Sequence, residues 1–547
     1  MKKTSKWLVL MIAIIMVASV VLAGCGGGTS TDGEKKDQTA GEQPAKEQVL
    51  RLNAKTEPPS LDPATTTDST SGDILRELME GLVRLDENSQ VKQGSGMAES
   101  WEISEDGLKY TFHLKDAKWS NGDPVTAHDF EFAWKRVLNP ETASDYAYQL
   151  YYLKNGEAYN AGKAKAEDVG VKALDDKTLE VTLEAPTPFF LQLTAFYTLF
   201  PVNQKVVEAN KDWAAEAATY VSNGPFKLTK WEHDSEVVIE KNENYWNKDK
   251  VNLSKISWVM INDDNTEYQL FQNNELDIAQ PPTELTKELI DKGEATSKPV
   301  LGNYMFVFNV EKEPFTNKYV RQAFAAAIDR ESLINNVTQG GQIPAYAFVP
   351  PGASPDMGVD FREKNGDFVK KPAEAKALLE KGMQELGLKT FPKVTLSYNT
   401  NDGNKKIAEA VQAMWKQNLG VDVELTNQEW KVYLKTLSAG DYQIGRYGWL
   451  ADYMDPMTFM DMWVTDGGNN DTNWSNARYD ELIKQAKSTG DQQVRLAAFQ
   501  EAEQILMDEM PIIPVYFYTR VFMQHDNVKN VVRHADGSSD FTWVTIE

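Results

Sequence analysis

The sequence predicts a mixed α/β body. Three observations carry that expectation: apolar residues alternate with period two in several short stretches, recur with helical spacing in several longer ones, and the two kinds interleave along the chain. "KYTFHL" (Lys109–Leu114), "KTLEVTLE" (Lys177–Glu184) and "SEVVIEK" (Ser235–Lys241) alternate and read as half-buried strands. "YVRQAFAAAIDRESLINNV" (Tyr319–Val337), "KPAEAKALLEKGMQEL" (Lys371–Leu386) and "NKKIAEAVQAMWKQNLG" (Asn404–Gly420) put their apolar residues on one helical face. No segment repeats at a fixed period, which argues against solenoids and propellers.

With 547 residues the chain has room for two to four domains, and 41% hydrophobic content is that of a globular protein. A formal charge of −24 argues against nucleic acid and against electrostatic docking on anionic lipid. The single cysteine, Cys25, follows a secretion signal: Lys2, Lys3 and Lys6 precede the uncharged apolar run Trp7–Ala23. "LAGC" (Leu22–Cys25) has the pattern of a bacterial lipobox; the competing reading is a membrane anchor with an incidental cysteine. Residues 1–25 are thus expected to be a lipoprotein signal with Cys25 lipidated, leaving a body without a thiol. Residues 26–47 lack any large apolar side chain and read as a flexible tether. The expected location is the extracytoplasmic face of a membrane, with a partner in that membrane.

One stretch raises a question of charge. "GRYGWLADYMDPMTFM" (residues 445–460) places Arg446 and Asp452 in an apolar run, and buried ions are costly unless paired. In a regular strand Arg446, Gly448, Leu450 and Asp452 share a face and span at most roughly 20 Å. Asp452 also reads as a solvated turn residue and Arg446 as half of an internal ion pair. Asp455 followed by Pro456 is the better helix start here, as N-cap and first helical position.

Chemistry that would make an enzyme is not visible. None of His113, His128, His233, His525 and His534 begins an H-E-x-x-H motif or has metal-ligand spacing to another. There is no G-x-S-x-G elbow, and carboxylates are too numerous for a glycosidase pair to be singled out. No G-x-x-x-x-G-K-[ST] loop is present, so ATP hydrolysis falls to other subunits if transport is involved. No cofactor is implied.

Five ordered blocks carry a resemblance: Gly96–Val137, "SNGPFKLTKW" (Ser222–Trp231), "NENYW" (Asn242–Trp246), "PFTNKYVRQAFAAAIDR" (Pro314–Arg330) and "YGWLADYMDP" (Tyr447–Pro456). They resemble family 5 extracellular solute-binding proteins, above all those that serve oligopeptide ABC importers, over essentially the whole chain from residue 48. The resemblance implies a bilobal periplasmic-binding-protein-like fold with an inserted domain and a two-crossing hinge. Lobe I would comprise residues 48–79, 204–302 and 520–547, the inserted domain 80–203, and lobe II 303–519.

It also implies a monomer that captures short peptides between the lobes and delivers them to permease and ATPase subunits. A peptide brings an ammonium, a carboxylate and a row of backbone polar groups, each needing a partner once water is excluded. Asp452 falls on the family's aspartate that holds the ligand ammonium, Arg446 on an arginine that receives the carboxylate of shorter peptides, and Trp449 on a pocket tryptophan. Tyr146, Tyr304 and Trp430 align with ligand-facing aromatics, and Thr67, Asp68 and Ser69 with a segment that pairs with the peptide from the opposite side. Where relatives use a lysine and a histidine for longer ligands, this chain has Thr338 and Asn404, with Lys405 and Lys406 beside the latter. A peptide-pheromone receptor would use the same site. Nickel, haem or sugar cargo would keep the fold, though scarce histidine disfavours the metals and Asp452 an uncharged sugar.

Overall fold

The structure, a computed structural model, describes residues 48–354 and 358–547. The signal segment, Cys25 and the tether lie outside the described residues.

Three sheets organise the body. The first runs in the order Val49–Asn53, Lys255–Val259, Glu236–Lys241, Phe226–Glu232, with its first pair parallel and the others antiparallel. Its amino-terminal strand thus pairs with one some two hundred residues later, a non-local contact that hydrophobic pattern alone does not encode. The second sheet is antiparallel and local in sequence: Ala98–Ile103, Lys109–Leu114, Thr178–Thr182, Val171–Asp175. The alternation predicted for Lys109–Leu114 appears there, with Tyr110, Phe112 and Leu114 buried and their neighbours more exposed.

The third sheet is the largest and mixed. Its central strand, Thr296–Phe308, lies antiparallel between Ile512–Gln524 and Ile444–Leu450. Beyond the latter come Val394–Asn399 and Val423–Gln428, all three parallel. Pairing between the two long strands lapses between Pro299–Thr519 and Asn303–Phe517. There the Leu301 N–H bonds instead to Ala535 O at 2.7 Å, and Leu301 O accepts from Ala451 N at 2.9 Å. One half of the central strand, Leu301–Phe308, is fully buried; the other is largely exposed.

Two of the predicted helices hold. Ala375–Glu385 forms after a short turn at Pro372, and Asp402–Leu419 ends at Gly420, whose φ of 73° suits the left-handed stop that glycine provides. The stretch Tyr319–Val337 departs from expectation. It forms Lys318–Ala326, breaks, and restarts as Arg330–Leu333 because the Asp329 carboxylate caps the Ser332 N–H at 2.9 Å. Buried Arg330 secures the break, donating to the carbonyls of Ala325, Ile328, Ala345 and Pro514.

Candidate functional site

A single cleft of about 530 Å³ is lined by every peptide-contact residue expected from sequence: Thr67, Asp68, Ser69, Tyr146, Tyr304, Asn404, Trp430, Arg446, Gly448, Trp449, Leu450 and Asp452. The volume falls within the roughly 300–1,000 Å³ of small-ligand sites. What places Arg446, Gly448, Trp449 and Leu450 together is a strand inside the large sheet. Ile444–Leu450 pairs with the central strand so that Gly448 lies opposite Tyr304 and Arg446 opposite Phe306.

Asp452 does not continue that strand as expected, since the strand ends at Leu450. The chain turns there because the Asp452 N–H donates to Thr458 Oγ1 at 3.0 Å. Its carboxylate is nevertheless not a solvated turn group. Gln149 Nε2 donates to Oδ2 at 2.8 Å and the Tyr146 hydroxyl to Oδ1 at 3.4 Å. No cation within the described residues forms an ion pair with it. Burial, reinforced by the neighbouring Asp461 carboxylate, pushes its pKa well above the ordinary range. Removing such a charge from water costs several kcal/mol in general, so the ionised form demands a counter-charge.

The next residues tie this end of the cleft to the segment around 150–190. Tyr453 stacks on Phe189 with centroids 4.3 Å apart, and Met454 N–H donates to Gln192 Oε1 at 3.0 Å. The predicted helix start is confirmed in chemistry and shifted by one residue. Asp455 Oδ1 accepts the Met457 N–H at 2.9 Å, and the helix spans Met457–Met460.

At the other end Arg446 makes no internal ion pair among the described residues, contrary to the alternative read from sequence. Its Nη2 donates to the Tyr518 hydroxyl at 2.9 Å, its guanidinium carbon lies 4.8 Å from the Tyr304 ring centroid, and its buried Nε has no partner. Gly448 makes that geometry attainable, because a Cβ there would fall 2.3 Å from the Tyr518 hydroxyl oxygen.

The remaining residues line the walls. Trp449 is buried and held by Nε1 donation to Thr458 O at 2.8 Å. Asp68 caps the helix Ser69–Leu78 through Ser71 N–H and accepts from Trp430 Nε1 at 3.3 Å, so its side chain has structural work while its segment lines the cleft. Thr338 and Asn404 also line the cleft, but as neutral groups satisfied by Gln342 and Asn399. Neither neighbouring lysine turns inward: Lys406 pairs with Glu284, and Lys405 is not part of the lining. Sequence reasoning missed Gln149 and Tyr518, whose partners lie 303 and 72 residues away.

Residues 92–471 match the model of bacterial extracellular solute-binding proteins, family 5 Middle. The chain belongs to the family 5 extracellular solute-binding proteins. It is 47% identical to the oligopeptide-binding protein OppA of Bacillus subtilis over 97% of this chain and 98% of that protein. It is 45% identical to the dipeptide-binding protein DppE of the same organism over 96% of each. Among solved structures, Listeria monocytogenes OppA bound to peptide superposes with a TM-score of 0.87 at 33% identity, covering 91% of this chain and 99% of that one. The pheromone receptor PrgZ gives 0.87 at 32%, covering 92% and 100%. The family's fold, a bilobal mixed α/β body, is therefore that of this chain.

Proposed function

We propose that this protein binds short peptides in the cleft and presents them to an ABC importer. The observation that carries the reading is one cleft lined by two opposite charges without an internal ion-pair partner among the described residues, Asp452 and Arg446. An ammonium neutralises the first and a carboxylate pairs with the guanidinium. The ligand backbone lies along the cleft as an added strand, which satisfies its polar groups without reading side chains. Trp449, Tyr146, Tyr304 and Trp430 form side-chain pockets, and bridging water adapts them to different guests.

The family's role as a binding component of importers argues for a non-catalytic protein. In this reading the polypeptide is a monomer, held by lipid on Cys25 at the outer face of the cell membrane, with residues 26–47 giving it reach. The lobe division at about 79/80, 203/204, 302/303 and 519/520 is supported by strand membership: the first sheet draws on residues 49–53 and 226–259, the second only on 98–182.

Titration calorimetry with di- to pentapeptides, together with native mass spectrometry of freshly purified protein, tests the reading. A ladder of co-purified peptides is expected; a non-peptide guest, or no heat with any peptide, overturns it. The likeness to PrgZ favours a second use of the same cleft, capture of a signalling peptide. Normal growth of a deletion strain on peptides as sole amino-acid source would favour that use over uptake.

A further inference from the structure

The cleft holds more charge than the two ends of a peptide need. Its lining cations are Lys55, Arg76, Arg446 and Arg520, and its anions Asp68, Asp73, Asp264, Asp452 and Asp536. Several are matched internally. Lys55 pairs with Asp264 at 2.6 Å, Arg76 with Asp536 at 3.4 Å, and Asp68 caps its helix. With Arg446 and Asp452 assigned to the termini, Arg520 and Asp73 are left. Neither side chain makes a hydrogen bond or ion pair among the described residues. Arg520 nevertheless supplies the strongest charge acting on Asp73.

The sheet register locates the pair. Side chains of a strand alternate, so Tyr518 and Arg520 share the cleft face about 7 Å apart. Along the central strand, Arg446 stands opposite Phe306, Ala451 bonds to Leu301, and Arg520 stands opposite Lys298. Arg520 therefore lies at the Asp452 end, on the far side of Tyr518 from Arg446. Asp73, on the helix Ser69–Leu78, lines the same cleft and lies within reach of the Arg520 charge.

We propose that Arg520, opposed by Asp73, forms a side-chain subsite at the amino end of the cleft that takes an acidic side chain from the first or second ligand residue. The inference rests on the peptide reading above. A guanidinium with no internal partner gives a ligand carboxylate two parallel hydrogen bonds, which an amide of equal size does not reproduce. Arg520 and Asp73 attract one another, and that attraction competes with a ligand carboxylate for the guanidinium. Specificity in this protein then resides in one subsite next to an otherwise permissive backbone track.

The test is calorimetry of the mature protein with Ala-Ala-Ala, Glu-Ala-Ala, Ala-Glu-Ala and the matching glutamine peptides. At least one glutamate peptide is expected to bind about fivefold tighter than its glutamine counterpart, the scale of a partly exposed ion pair. Arg520→Gln should erase that ratio while leaving Ala-Ala-Ala affinity within about twofold, and Arg520→Lys should retain part of it. Asp73→Asn should enlarge it. A glutamate-to-glutamine ratio of one in the unaltered protein overturns the subsite, as does a ratio that survives Arg520→Gln. Equal weakening of every peptide by Arg520→Gln, with an unchanged melting temperature, also overturns it. Absence of binding by all the peptides to the unaltered protein overturns the peptide reading itself, which separates the two failures.

Discussion

The two ends of the cleft solve opposite problems by different means. Asp452 sits among neutral donors, an amide and a phenol, that orient its carboxylate without neutralising it. Arg446 sits among the rings of Tyr304, Tyr516 and Tyr518, which accept its field and one of its hydrogen bonds. A carboxylate under burial can escape its charge by taking a proton, whereas a guanidinium cannot. The acid end is consequently a titrating site and the basic end a fixed one. Affinity that depends on pH should trace to one end, and affinity that depends on peptide length to the other.

The largest expected effect breaks the acid end. Asp452→Ala should weaken binding of free-amine peptides by about 2–5 kcal/mol, the range for removing one partner of a buried charge pair. N-acetylated peptides should lose as much on the unaltered protein and little further on the variant. Titration calorimetry returning unchanged affinity would reject Asp452 as the ammonium site. Arg446→Ala breaks the other end, with a loss approaching the same range for the shortest ligands and fading as length grows. A uniform loss across di- to pentapeptides would count against a carboxylate contact there.

Gly448→Ala tests whether the tyrosine cage positions Arg446. Overpacking against the Tyr518 hydroxyl should cost about 1–3 kcal/mol of stability, read by thermal melts, and should weaken short peptides more than long ones. Tyr518→Phe in the same protein should restore part of the stability.

The smallest effect sharpens the contrast through pH. Asp452 is raised well above its ordinary value by burial, Asp471 is raised to about 7 by burial and Asp145, and Glu77 to about 8 by burial and Asp540. Each binds more protons folded than unfolded between about pH 4 and its folded value, so ligand-free stability declines as pH rises through 7 to 8. Peptide affinity runs the other way. An ammonium needs the ionised Asp452, so affinity falls on acidification below that group's folded pKa, by at most about tenfold per pH unit. Melting curves and titrations from pH 5 to 8 should slope in opposite directions, and Asp452→Asn should flatten the affinity slope while the stability slope keeps the share due to Asp471 and Glu77.

Legibility in the sequence followed the range of the interactions. The strand Lys109–Leu114 and the helix ending at Gly420 are written in local alternation and a local stop residue, and both were readable. The Asp455 helix start was readable for the same reason. The break after Ala326 was also local, signalled by Asp329 three residues before Ser332, but the apolar periodicity running through it masked that signal. Asp452 stood out because a charge interrupted an apolar run. Its cage did not, because Gln149 and Tyr146 lie in an unrelated segment with nothing unusual about their neighbours. Asp73 and Arg520 were hidden for a different reason. On an amphipathic helix and a long strand they look like ordinary polar faces, and only the fold reveals that those faces meet in a cleft.

The lapse in pairing around Leu301 has a mechanical meaning. The ladder joining the two long strands is missing where the Leu301 carbonyl accepts a hydrogen bond from Ala451 N–H, one residue before the acid. In the proposed division that joint is where the halves of the molecule swing, so the grip on the guest and the pivot are adjoining links of one chain. In the proposed reading, occupancy would thereby be translated into outer shape. A docking partner would then sense a loaded carrier from its contour, without touching the cargo.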